Sequence, residues 1–166
     1  TPPVASFVAT DSTICVGDCI NFNDLSAGVP SGWNWYFFGS ATSNSSSQNP
    51  TNICYNSVGS FDVALVDTNS FGLDSIFISN FITVNALPII TASATPSTSI
   101  CSGAPITLTG NGGVSYVWDN FVIDGITLNP ITTTLYTVIG TDANGCHNTD
   151  TITIFVSSCA VPPIAN

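Results

Sequence analysis

Apolar and polar residues alternate with a period of two along most of this chain, the pattern of strands that bury one face. Ala5–Ala9 reads as a first strand and Asp11-Ser-Thr13 as the turn behind it. Cys19-Ile-Asn-Phe-Asn23 alternates cleanly. Pro30-Ser-Gly32 turns the chain into Trp33-Asn-Trp-Tyr-Phe37, an aromatic strand. Alternation puts Trp33, Trp35 and Phe37 on one face, in the core, and leaves Tyr36 as the aromatic expected in solvent. A polar loop, Ser40–Asn49, precedes a short strand at Cys54-Tyr55. Gly59 then leads into Phe61–Val66, with Phe61, Val63 and Leu65 inward. Asn69–Gly72 is a hairpin turn, and Ser75–Val84 closes this half.

After a short linker, Asn85-Ala-Leu-Pro88, the pattern starts again. Ile89–Ala94, Pro105–Thr109, Val114–Trp118, Thr132–Thr141 and Thr151–Val156 are its strands. Gly110–Gly113 and Asp142–Gly145 are glycine-bearing turns between them. Each half holds about seven strands or fewer, with turn signals every ~8–12 residues, the spacing of a β-sandwich. The chain reads as all-β, with boundaries at 1–86, 87–158 and a linker at 159–166.

Composition removes whole classes of function. Lys and Arg are absent, and all ten acidic residues are Asp, for a net charge of −10. Without cations there is nothing to neutralise phosphate, so nucleic acid is excluded as a partner. Anionic membrane surfaces would repel the chain, and no run of ~18 apolar residues is present to span a bilayer. Lys-based covalent chemistry and Lys–Asn isopeptide staples are impossible, and trypsin has no site to cut. With no Glu for acid–base pairing and no cation for transition-state charge, no enzyme and no cofactor are expected. His147 stands beside a turn without a nucleophile or an orienting partner, and reads as an exposed loop histidine. Six cysteines without a metal-type cluster point to disulfides and an oxidising, extracellular location.

Several motifs come in a familiar order. Cys-x-Gly-Asp-Cys-Ile-x-Phe-x-Asp-x-Ser (15–26), Trp-x-Trp-x-Phe (33–37), Asn-Pro-Thr-x-Ile-Cys-Tyr (49–55), Gly-x-Phe-x-Val-x-Leu (59–65) and Asn-x-x-Gly-x-Asp (69–74) resemble a PKD domain. The variant is that of large secreted proteins of Bacteroidota. The usual Gly-Asp-Gly after the aromatic strand is replaced by Phe38-Gly-Ser40. In the second half, Ile-Cys-x-Gly-x-x-Ile-x-Leu (100–108), Tyr-Val-Trp (116–118), Thr-Thr-x-Tyr-x-Val (133–138) and Asp-Ala-Asn-Gly-Cys (142–146) resemble the bacterial Ig-like domains strung beside PKD domains. The resemblance implies two tandem Ig-like sandwiches, with Trp35 and Tyr55 packed together in the first core.

The resemblance also implies a Cys101–Cys146 bond in the second half. It carries both Cys19 and Cys54, favouring that pair in the first, with Cys15–Cys54 left open by the sequence. Cys15 and Cys159 then remain. Thr1-Pro-Pro-Val-Ala-Ser6 is nearly repeated by Val161-Pro-Pro-Ile-Ala-Asn166, so the chain reads as one period of a longer array. In such an array Cys159 of one period would bond Cys15 of the next.

Asp11, Asp18, Asp24, Asp67, Asp74, Asp142 and Asp150 fall near predicted turns, where isolated carboxylates cap backbone amides; no metal site is expected. Three tripeptides, Asp11-Ser-Thr13, Asp74-Ser-Ile76 and Asp150-Thr-Ile152, resemble O-glycosylation sites of secreted Bacteroidota proteins and imply glycans on Ser12, Ser75 and Thr151. The functional expectation is a structural and adhesive repeat module of an extracellular surface or filament protein. Its partners would be neighbouring repeats or subunits, glycans and other cell surfaces. The alternative is a carbohydrate-binding accessory region of a secreted hydrolase, with Tyr36 as its test.

Overall fold

A computed structural model describes residues 1–159. The chain divides into two compact units, Thr1–Ala86 and a second beginning at Leu87. Each unit is a two-sheet sandwich, and the two share one strand scheme.

In the first unit the strands are β1 (Phe7–Ala9), β2 (Thr13–Cys15), β3 (Cys19–Ile20), β4 (Phe22–Asp24), β5 (Gly32–Phe37), β6 (Asn44–Ser45), β7 (Ile53–Cys54), β8 (Gly59–Asn69) and β9 (Gly72–Asn85). One layer is built from the pairs β1–β4 and β3–β7, and the other is a five-stranded sheet ordered β2-β9-β8-β5-β6. All pairs are antiparallel except β2 with β9, which run parallel, Thr13 opposite Thr83 and Cys15 opposite Asn85. The alternating run expected at residues 19–23 is split. Its first half pairs with β7 and its second with β1. At the division, Asn21 serves both neighbours. Its side chain accepts from the Asn52 amide at 2.9 Å, and its carbonyl accepts from the Thr10 amide at 2.9 Å.

Between the layers lies an aromatic core. Phe7, Phe22, Trp35, Phe37 and Tyr55 are buried with Ile20, Ile53, Val63, Leu65, Ile82 and Val84. Trp35 and Phe37 are two apart on β5 and stack at 5.8 Å between ring centroids, as the period of two requires. Trp35 donates its indole N–H to the Ser47 carbonyl at 2.9 Å, so the polar loop over residues 40–49 satisfies the one polar atom this ring buries. The turn after β5 uses Gly39 at φ 73°, where an added Cβ would run into the Phe61 ring. Phe38-Gly-Ser40 therefore makes a left-handed turn of its own.

The second unit comprises β10 (Thr91–Thr95), β11 (Ser99–Cys101), β12 (Ile106–Asn111), β13 (Ser115–Trp118), β14 (Thr127–Leu128), β15 (Thr134–Thr141) and β16 (His147–Ser157). Its sheets are ordered β10-β12-β14 and β11-β16-β15-β13. Again one pair is parallel, β11 with β16, Ser99 opposite Phe155 and Cys101 opposite Ser157. Ile90, Ile100, Ile106, Leu108, Trp118, Tyr136, Val138 and Ile154 form the core. The glycine-rich turn at residues 112–113 is a backbone corner. Gly113 donates its N–H to the Tyr116 hydroxyl at 2.8 Å, and that hydroxyl donates to the Gly113 carbonyl at 2.7 Å.

Candidate functional site

Cysteines staple both sandwiches, at different places. Cys19 and Cys54 are opposite one another across β3 and β7, with Cα atoms 3.9 Å apart, and are bonded. Cys101 is bonded to Cys159, Cα atoms 5.3 Å apart. This corrects two expectations. The Cys101–Cys146 pair fails because Cys101 sits opposite Ser157, at the end of β16, whereas Cys146 immediately precedes its first residue, His147. An eleven-residue strand rising ~3.3 Å per residue separates those ends by about 30 Å, several times what a disulfide can bridge. The Cys15–Cys159 bond between repeats fails because Cys159 is already taken by Cys101. Cys15 and Cys146 are disulfide-bonded as well. The near-repeat at 161–166 lies outside the described residues.

Carboxylates do more than cap turns. Asp11, Asp18 and Asp142 do cap: Asp11 accepts from the Ser12 and Thr13 amides, Asp18 from Cys15, and Asp142 from Asn144 and Cys146, all at 2.7–2.9 Å. Asp74 and Asp150 sit inside strands and clamp the first strand segment of their own sandwich. Asp74 accepts the Ala5 N–H at 2.9 Å, and Asp150 accepts the Ala92 N–H at 2.8 Å. The Ala92 and Thr151 backbone amides hold the Asp150 carboxyl below its usual range. The recurrence of Asp-Ser/Thr-Ile at residues 74 and 150 therefore has a structural cause. Asp clamps, Ile packs against the core, and the hydroxyl residue between them faces solvent. Ser12, Ser75 and Thr151 are all exposed.

Asp67 is the exception to solvent-facing acids. It is wholly buried, and neither carboxylate oxygen has a hydrogen-bond partner. It lies between Trp33 on β5 and Asp74 on β9 in the ladder. Burial raises its pKa and the charges of Asp24 and Asp74 add to the rise; the nearby Ser26 hydroxyl works against it, although it donates to the Ser6 carbonyl at 3.2 Å and makes no hydrogen bond to Asp67. Asp24 goes the other way. Burial pulls its carboxyl up, but hydrogen bonds from Ser26, Trp33 and Gln48 outweigh it and hold the group low. The Trp33 indole N–H donates to the Asp24 carboxylate at 2.8 Å, and the Gln48 side-chain amide donates to the same carboxylate at 3.1 Å. Period two continues from Val63 and Leu65 to Asp67, so the burial of Asp67 was readable from sequence, although proximity to a turn pointed the other way. Among the described residues, no group of three acidic, His or Cys side chains converges in a way that could hold a metal ion. His147 is exposed at the start of β16.

The outer face of the five-stranded sheet carries aromatic rings. Tyr36 is 40 % exposed, Phe38 50 % and Phe77 58 %. Register places Asn44, Tyr36, Ala64 and Phe77 in one row across β6, β5, β8 and β9. Phe38 meets Phe77 edge to face at 6.1 Å. The neighbouring row is Asn34, Val66 and Ser75, and the Asn34 amide donates to the Tyr36 hydroxyl at 3.2 Å. On the corresponding sheet of the second unit the exposed large side chains are the aliphatics Val117, Leu135 and Ile139 and a single ring, Phe155 on β16.

No protein-family model matches the chain, and no curated protein matches it. Solved structures do. The fibronectin(III)-like modules of Clostridium thermocellum CbhA align over 92 % of this chain and 95 % of theirs, at 18 % identity and a TM-score of 0.45. An I-band fragment of titin aligns over 95 % of this chain and 66 % of its own, at 12 % identity and 0.47. A structure of carbohydrate-binding modules from the β-sandwich superfamily aligns over 85 % of this chain and 55 % of its own, at 17 % identity and 0.44. The chain is all-β, two immunoglobulin-like sandwiches in tandem. Within that fold, the features with chemistry are the staples, the carboxylate clamps and the aromatic outer face of the first sandwich.

Proposed function

We propose that the two sandwiches, PKD-like then Ig-like, form one period of an extracellular bacterial surface or filament protein, with a structural and adhesive role. The observation that carries this reading is that every cysteine is disulfide-bonded, which belongs to an oxidising compartment. Charge agrees with it. A surface with no Lys or Arg offers nothing to trypsin-like proteases, and ten aspartates keep neighbouring copies apart in solution. The recurrence of Pro-Pro-x-Ala at residues 2–5 and 162–165 supports continuation into a further repeat. Ser12, Ser75 and Thr151 are exposed, as O-glycan acceptors must be.

The test is antibody labelling of intact source cells, followed by a reducing, denaturing gel. Label on unpermeabilised cells, in a polypeptide several times the 17.2 kDa of this chain, is the expected result. Label that appears only after permeabilisation overturns the extracellular reading. A surface-exposed species near the mass of this chain alone overturns the continuous array.

A further inference from the structure

We infer that the outer face of the five-stranded sheet binds an uncharged polysaccharide, stacked on Tyr36, Phe38 and Phe77 and hydrogen-bonded by the amides beside them. This deepens the adhesive half of the reading above and rests on it for the extracellular setting.

Tyr36 and Phe77 occupy one row, separated by the single small residue Ala64. Two strand spacings of ~4.8 Å put their Cα atoms about 10 Å apart, leaving a shallow trough floored by Ala64. Phe38, in edge contact with Phe77, makes the third ring. Exposing three such rings on the water side of a sheet adds nothing to the core of this sandwich, which Trp35, Phe37 and Leu65 already fill from the inner face.

Charge decides between ligand classes. The side chains bordering the rings are Asn34, Asn44, Ser75 and Val66, all uncharged. The nearest acid on β8, Asp62, is half-buried and accepts the Asn80 N–H at 2.7 Å. With no Lys or Arg anywhere in the chain and a net charge of −10, an anionic polymer would be repelled and left unpaired. A cationic partner would find its countercharges elsewhere. What remains is a neutral polyol, with apolar C–H faces for the rings and hydroxyls for amides that both donate and accept. A protein partner fits less well. Asn34 and Asn44 interrupt the apolar surface, whereas the buried centre of a stable protein interface is predominantly apolar.

Native gel electrophoresis through hydroxyethylcellulose, galactomannan and xyloglucan, with alginate and polymer-free gels as controls, tests the inference. Retardation is expected in at least one neutral gel and not in alginate. Tyr36→Ala and Phe77→Ala should each weaken it about tenfold, Phe77→Tyr should retain it, and Val117→Ala on the second sandwich should leave it unchanged. Circular dichroism on each variant shows that the sandwich is intact; both side chains are exposed, so truncation leaves the core untouched. Retardation in none of the three gels overturns the inference, as does full retardation of the Tyr36→Ala/Phe77→Ala double variant. Concentration-dependent dimerisation abolished by Phe77→Ala also overturns it, by assigning the face to a second copy. Each of these failures leaves the extracellular reading intact, since that one is decided by surface labelling.

Discussion

The two sandwiches have the same strand scheme and are filled differently. In each, the last strand pairs parallel with the short second strand, and a carboxylate on that last strand holds an amide of the first segment. Inside, the first sandwich packs five aromatic rings, whereas the second relies on Ile, Leu and Val around Trp118 and Tyr136. The difference teaches that register and backbone clamping specify this architecture, while the core needs only the right volume in the right alternation. Loss of a cross-link should therefore fall unequally on the two, since the first core cluster holds twelve buried residues and the second eight.

Opening the staples is the strongest way to break the symmetry. On loop-closure arithmetic each bond contributes about 4 kcal/mol, the sequence separations being 35 and 58 residues. Cys101→Ser/Cys159→Ser should unfold the smaller core first, and Cys19→Ser/Cys54→Ser should leave a destabilised but folded first sandwich. Calorimetry resolves this as two transitions. Equal survival of both variants would mean the cores do not differ as described.

The clamps come next. Asp74→Ala strands the Ala5 amide and should cost the first sandwich about 1–2 kcal/mol. Asp150→Ala should lower the midpoint of the second. In a Trp118→Phe background, Trp33 and Trp35 fluorescence reports the first sandwich alone, so urea midpoints separate the two effects. If Asp74→Ala moves only the second transition, the clamp is not local.

The smallest effect has a sign that distinguishes the units. The folded-state pKa of Asp67 is raised above the ordinary 3.8. Its contribution is full below 3.8 and is lost as pH rises through the raised value. Asp24 and Asp150 are held low, so their contributions are present above 3.8 and are lost as pH falls through the lowered values. Mild acidification from neutrality should therefore raise the melting temperature of the first sandwich. Asp67→Asn should abolish that rise and melt higher at pH 7, where wild type carries a buried, unpartnered acid. A rise that persists in Asp67→Asn would assign it to general charge repulsion. Tyr55 takes no part, because burial pushes its phenol up to about 12.

Much of this was legible in the residues. Alternation placed Trp35 and Phe37 inside and Tyr36 outside, because the side-chain period of a strand is fixed by its geometry. It extended equally to Asp67, where a local turn signal obscured it. Disulfide pairing was less accessible. The correct partner of Cys101 depends on which end of β16 meets β11, and that is settled by the parallel register. Asp-Ser/Thr-Ile at residues 74 and 150 resembled a modification signal in sequence. In three dimensions its Asp and Ile have structural work in both sandwiches, which leaves only the middle residue free to be modified.

The Cys101–Cys159 bond has a mechanical consequence. Tension applied between Cys101 and Cys159 is carried by the covalent link, which shields the strands between these two residues from it. Reduction would release those 58 residues, about 200 Å of slack at full extension. The Cys19–Cys54 bond closes a 35-residue span, about 120 Å at full extension, and the longest strands of the first sandwich, β8 and β9, lie outside that loop.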